Sequence, residues 1–240
     1  MPEIIYEDNH LLIAVKPPNQ LTQSDETGDL SLQDELKQDI AVRYQKPGAV
    51  YLGLVHRLDR PVGGLVAFAR TSKAASRLSE QLRSHSMRRE YLTVVEEGDR
   101  LPYNGTLYDY LKQNEKSGLV EVVSEQTDKA QEAILHYEKI AENPQHHTAL
   151  LHIRLETGRK HQIRVQLSHM GCAIVNDMRY GHGTRGENIA LWGAVLRLHH
   201  PTLKTAMVFT ATPHGSAFLP YQNEIARFLQ EQSSIEGESQ

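Results

Sequence analysis

The chain has one cysteine, Cys172, in 240 residues. A lone thiol cannot close an internal disulfide and cannot found a multi-cysteine zinc site. No apolar run is long enough to read as a membrane span, and the N-terminus lacks the charged-then-apolar order of a signal segment. Together these absences predict a cytoplasmic protein. Excess basic charge is also lacking: 26 Lys and Arg stand against 30 Asp and Glu, a net charge of −4, which announces no polyanionic partner. There is no internal repeat and no low-complexity linker, so residues 1–230 read as one domain, followed by a small, polar, acidic tail over 231–240 that is expected to be disordered.

The distribution of charge says more than its sum. Arg57, Arg60, Arg70, Lys73, Arg77, Arg83, Arg88 and Arg89 crowd one stretch that holds only Asp59 and Glu80 in return. Arg154, Arg159, Lys160 and Arg164 form a second basic cluster much later in the chain. If the two share a surface, a polyanion is the natural partner; otherwise each is a solvated face.

Periodicity gives a coarse outline. Ile4 to Lys16 reads as two short strands joined at Asp8-Asn9, and Pro17-Pro18 ends the second. Ser31 is placed to cap a helix with Leu32, Leu36 and Ile40 on one face, stopping near Pro47-Gly48. Thr71-Ser72 caps a second helix with Ala75, Leu78 and Leu82 inward. Arg89–Glu97 reads as a strand, and Asp99–Ser124 as hairpins or a surface excursion. Gln131–Ala141 and Thr148–Glu156 alternate as half-buried antiparallel strands do. A helix follows with Ile163, Leu167 and Met170 on one side, ended by Gly171. Two more strands, Leu191–His199 and Ala206–Ala211, precede a last helix with Pro220 in its first turn and Ile225, Phe228 and Leu229 buried. Helices with mostly antiparallel strands predict an α+β fold.

The stretch that carries chemistry is GLVHRLDRPVGGLVAFAR, from Gly53 to Arg70, centred on Asp59. Its carboxylate stands among His56, Arg57 and Arg60, and cationic neighbours favour the ionised form at neutral pH. Pro61 fixes a turn, and Gly63-Gly64 release the backbone ahead of an apolar strand. Such a loop suits a nucleophile or base. Taken alone, an Asp beside Arg is more ordinarily a loop salt bridge.

The string His56-Arg57-Leu58-Asp59, followed by Gly-Leu and a strand ending in Ala69-Arg70, resembles the catalytic loop of RluA-type pseudouridine synthases. EDNHLLIAVKPPN resembles the first motif of that family, in which a strand ends in Lys-Pro. Arg89-Glu90-Tyr91-Leu92 resembles the segment with its active-site tyrosine, and LETGRKHQIR (155–164) resembles the third motif. Asn176-Asp177 through Tyr180-Gly181, and the later strand ending His200-Pro201, match the closing pattern.

The resemblance implies an α+β catalytic fold: a mixed, mostly antiparallel central sheet with flanking helices and an active-site cleft across the sheet. It implies Asp59, Tyr91 and Arg164 as catalytic residues, with Arg164 pairing the aspartate. It implies substrate contacts for Arg57, His56, Arg60, Lys16, Arg159, His161, Gln162 and Ile163. Arg57 is expected to fill the space left by a flipped base, Lys16 and Arg159 to touch phosphates, and His56 to support the loop. The aspartate acts as a nucleophile toward sugar or base, or stabilises charge at C1′; the residues do not choose. The expected partner is RNA, ribosomal or transfer, with its uridine flipped from a stem-loop. No cofactor, metal or membrane is expected, and the protein is expected to be monomeric.

Departures from the family are visible. Val62-Gly63-Gly64 stand where relatives carry a hydroxyl that braces the loop, Asn176 replaces a usual glycine, and Gln166 a frequent histidine. The first motif begins almost at residue 4, so the S4-type RNA-binding domain of many relatives is not expected. Two other function classes fit less well. A catalytically silent RNA-binding module needs no such carboxylate. A metal-dependent hydrolase could draw on the 13 histidines, but His146-His147, His161, His169 and His199-His200 show no metal-ligand spacing.

Overall fold

The computed structural model describes residues 1–234. In chain order the first half contains β1 (Glu3–Glu7), β2 (Leu11–Lys16), α1 (Leu32–Arg43), β3 (Gly53–Leu54), β4 (Gly63–Ala69), α2 (Ser72–Arg83) and β5 (Arg88–Glu96). The second contains β6 (Asn104–Gln113), β7 (Val120–Val123), β8 (Gln131–Asn143), β9 (Thr148–Leu155), α3 (Gln162–His169), β10 (Leu191–His199), β11 (Ala206–Thr210) and α4 (Gln222–Ser234). Within the described residues these fall into two compact units, 1–89 with 193–213 and 226–234, and 90–192 with 214–225.

In the first unit the strand order is β1-β2-β4-β10, with β3 against β4 and β11 against β10. The β1–β2, β2–β4, β3–β4 and β10–β11 pairs are antiparallel. The β1–β2 corner forms because the Asp8 carboxylate accepts from the His10 and Leu11 N–H groups, each at 2.7 Å. Ser31 caps α1 by accepting from Asp34 N–H, and Leu32, Leu36 and Ile40 are fully buried, each worth about 2 kcal/mol in area removed from water. The helix stops at Arg43, before Pro47-Gly48 is reached. Gln45 adopts φ 47°, and Lys46 N–H bonds to Ala41 O, which closes the last turn without a glycine. Thr71 caps α2, whose buried residues are Ala74 and Leu78, one position from the expected Ala75 at one end.

In the second unit the order is β5-β9-β8-β6-β7, antiparallel throughout. The segment expected as hairpins or a surface excursion takes the first form, a paired hairpin of this sheet. Leu111 and Val120 anchor it in a core with Ala133 and Val165. Helix α3, expected to be amphipathic, is buried on all sides from Gln162 to Leu167, and Gly171 at φ 81° ends it as anticipated. Mixed helices and mostly antiparallel strands give the α+β architecture read from the sequence.

Pro220 lies in a short 3-10 segment, Ser216–Tyr221, ahead of α4 rather than in the helix's first turn. The helix runs to Ser234, so 231–234 are ordered helix where a disordered tail was expected; the rest of that tail lies outside the described residues. Among the described residues no helix is long and apolar enough to cross a membrane.

Candidate active site

Asp59 lies in the loop between β3 and β4, half-buried, and its carbonyl accepts from Val62 N–H at 3.0 Å to form the turn that Pro61 occupies. Several braces hold this loop. Lys16, at the end of β2, is fully buried and donates to the carbonyls of Pro17 (2.9 Å), Gln20 (2.7 Å) and Arg60 (3.0 Å). Burial draws its pKa down to about 7, against the opposing pull of the Asp59 carboxylate. An ammonium spent on three backbone carbonyls is a strut, so the expected phosphate contact for Lys16 is corrected to a bracing role.

Thr22 supplies a second brace: its hydroxyl donates to Leu58 O (2.9 Å) and accepts from Leu58 N–H (3.2 Å). A hydroxyl does steady the loop, but it comes from Thr22, far along the chain from the Val62-Gly63-Gly64 position where relatives carry one. His56 is buried and its Nε2 accepts from Ala67 N–H of β4 at 3.1 Å, which places the ring proton on Nδ1. Burial, helped by the charge of Arg89, lowers its pKa to about 3. It is neutral and supports the loop, as expected, with no surface to offer a substrate.

Gly64 allows the loop to enter the strand. Its φ is +125°, and a Cβ there would stand 2.4 Å from the backbone of Gly193. Arg57 is exposed, with no ion pair among the described residues, while Arg60 reaches back to Asp29 (2.5 Å) and Asn19 O (3.3 Å).

The remaining predicted residues lie in the second unit. Tyr91, on β5 opposite Ile153 of β9, is 6% exposed. Arg159, His161, Gln162, Ile163 and Arg164 form the entry to α3. Gln162 is buried, its amide oxygen accepting from Thr157 Oγ1 (2.8 Å) and Arg159 N–H (2.9 Å) and its nitrogen donating to Ile134 O (3.1 Å). Ile163 is core. Substrate contact for these two is corrected to locking the turn and packing the helix. Exposed Arg159 donates Nε–H to Glu132 O at 2.8 Å.

Arg164 is buried, and its Nε and one Nη donate to Asp177, each at 2.8 Å. Asp177 is thus a bidentate partner of Arg164 within the second unit, one that the family resemblance did not assign. That carboxylate is fully buried, which works against its charged form, but Arg164 and the N–H groups of Arg179 and Tyr180 outweigh burial and hold its pKa below the usual range. The Tyr180 ring lies 5.1 Å from the guanidinium carbon. Sequence reasoning matched Asn176-Asp177 and Tyr180 to the closing pattern but assigned them no role; their only signal was that match. Asn176 adopts φ 62°, which explains why it can replace a glycine, since asparagine tolerates the left-handed region. Gln166 spends its amide nitrogen on Asp109 (2.8 Å) and Ala133 O (3.1 Å).

Among the described residues no group of three or more His, Cys, Asp or Glu is placed to hold a metal ion. His161 bonds Tyr180 and His200 bonds Asp8, each at 2.7 Å. The first unit offers a half-buried carboxylate on a rigid loop, and the second offers a buried, oriented guanidinium.

Comparison with known proteins agrees. The family model described as RNA pseudouridylate synthase matches residues 10–169. Ribosomal large subunit pseudouridine synthase D of Xylella fastidiosa is 36% identical over 180 residues, covering 75% of this chain and 51% of that protein. The tRNA pseudouridine synthase C of Yersinia pestis is 30% identical over 229 residues, covering 88% and 86%. The chain thus spans about half the length of the first relative and most of the second. Human RNA pseudouridylate synthase domain containing 4 shares the fold, with a TM-score of 0.72 at 19% identity over 95% of this chain and 93% of that one. A polar loop built around His56-Arg57-Leu58-Asp59, in a chain matched over this span, makes the protein a member of the RNA pseudouridylate synthase family.

Proposed function

We propose that the protein isomerises uridines in structured RNA, ribosomal or transfer, to pseudouridine, with Asp59 as the nucleophile. The N1–C1′ bond breaks, the base turns, and a C5–C1′ bond forms. N1 gains a proton and C5 loses one, so the reaction balances without a redox partner or co-substrate. The names of relatives acting on both RNA classes support either substrate.

The observation that carries the reading is the braced Asp59 loop. A carboxylate whose backbone is fixed by buried Lys16 and Thr22 pays its ordering cost before substrate arrives, which is what a nucleophile requires. Arg164 is assigned to orienting the reacting carboxylate and Tyr91 to stacking on the uracil and taking the C5 proton. Exposed Arg57 is assigned to the space left by the extruded nucleotide. RNA as substrate and a single thiol support a cytoplasmic location, and we take the working unit to be a monomer.

The test is Asp59→Asn, assayed by tritium release from RNA labelled at uridine C5. Turnover is expected to fall by about 10³-fold or more, with RNA affinity kept within a few-fold. Unchanged turnover would remove Asp59 from the chemistry. Absence of release from the wild-type chain on total RNA would favour a silent RNA-binding module.

A further inference from the structure

A buried guanidinium is useful to catalysis only if its plane is fixed, because a free one would settle on any acceptor nearby. In the second unit two residues remove that freedom from Arg164. Asp177, itself fully buried, takes Nε–H on Oδ2 and an Nη2–H on Oδ1, a side-on fork that fixes the plane. The carboxylate cannot rotate in turn, since Oδ1 also accepts from the N–H groups of Arg179 (2.9 Å) and Tyr180 (3.1 Å).

Tyr180 covers the face of the guanidinium, 5.1 Å from its carbon to the ring centroid. The ring is itself pinned. Its hydroxyl accepts from Val120 N–H (3.0 Å) and lies 2.7 Å from Nδ1 of His161, while its carbonyl accepts from the Ser168 hydroxyl at 2.5 Å. Two of the five N–H donors of Arg164 are spent on Asp177, and the other three are aimed by that choice.

We infer that Asp177 and Tyr180 are positioning residues of the isomerisation: they set the plane and face of the Arg164 guanidinium while themselves staying off the RNA. This rests on the assignment of Arg164 to catalysis made above.

The experiment measures single-turnover tritium release and RNA affinity for the full chain carrying Asp177→Asn, Arg164→Met, or both. Asp177→Asn keeps an oxygen for the two backbone N–H groups but turns an amide toward Arg164. The rate is expected to fall about 100-fold with affinity within about threefold, as for a misplaced catalytic group. In the Arg164→Met background the same change should cost less than about threefold, because the pair acts as one unit. An equal loss in both backgrounds, or a rate loss matched by lost affinity, overturns the inference and makes Asp177 a residue of the fold. A wild-type rate for Arg164→Met alone instead overturns the assignment of Arg164, and the inference with it.

Should Asp177→Asn fail to fold, the ring gives a second arm. Tyr180→Phe keeps the aromatic face and Tyr180→Leu removes it, so the Leu variant should turn over at least about tenfold more slowly than the Phe variant at equal RNA affinity. Equal rates for the two overturn the inference.

Discussion

His56 and Asp59 lie three positions apart in one loop, and the fold treats them oppositely: the histidine is sealed and neutral, the carboxylate half-buried. Sealing has a consequence in acid. The His56 pKa is about 3 in the folded chain, through burial and then Arg89, against 6.5 for an ordinary histidine. Between those values the unfolded chain binds a proton that the folded chain does not, so His56 erodes stability as pH falls, by up to about 1.4 kcal/mol per pH unit. Wild type should exceed His56→Asn in unfolding free energy at pH 7, and the gap should shrink on going to pH 4, followed by urea melts at each pH. A constant gap would show that the ring titrates normally. The sequence allowed His56 its supporting role, but nothing in it could show that Ala67 N–H is the partner, because that bond exists only once β4 is laid beside the loop.

At the scale of elements, the site depends on how β4 begins. Gly63-Gly64 read as a release of backbone restrictions, and at Gly64 the structure shows what requires it. Gly64 combines φ +125° with a Cβ position 2.4 Å from the Gly193 backbone on β10. Gly64→Ala therefore meets both conformational strain and a clash that no rotamer relieves, and should cost about 3 kcal/mol or more, read as a large drop in thermal midpoint. An unshifted melt would mean that β10 can move aside at no cost. Helices were foreseen where caps announced them, at Ser31 and Thr71. The stop of α1 was missed because a glutamine at φ 47° has no signature in composition. Helix α3 was expected to bury only the side of Ile163, Leu167 and Met170, but Gln162, Arg164 and Gln166 are buried as well, each with a partner that satisfies it.

For the whole molecule, the electrostatic expectation has to be revised residue by residue. Arg70 and Arg164 are spent on carboxylates, half-buried Glu7 and buried Asp177, and drop out of any phosphate footprint. Arg60 and Arg83 are held by exposed pairs, Asp29 and Glu80, worth at most about 1 kcal/mol, which a phosphate can displace. Arg57, Lys73, Arg88, Arg154 and Lys160 are exposed and have no ion pair among the described residues. If about four to six of these cations meet phosphates, log affinity for RNA should fall with log salt at a slope near −3 to −5, since each phosphate contributes about 0.7 to 0.9. Binding measured across a salt series tests this; a flat line would take the arginines off the RNA.

Chemistry that resides in local order was set by the sequence alone. The aspartate among arginines, the helix caps, the strand alternation and the ordered family motifs all depend on neighbours a few positions apart, where side-chain type and spacing suffice. What holds that chemistry in place was decided by tertiary structure. Thr22 bracing Leu58, the Lys16 ammonium on three carbonyls and Asp177 holding Arg164 each join groups far apart or without a telling pattern. The reason is that a buried polar group must find whichever partner the packed chain brings to it, and a linear string records who is present without recording who is left facing whom.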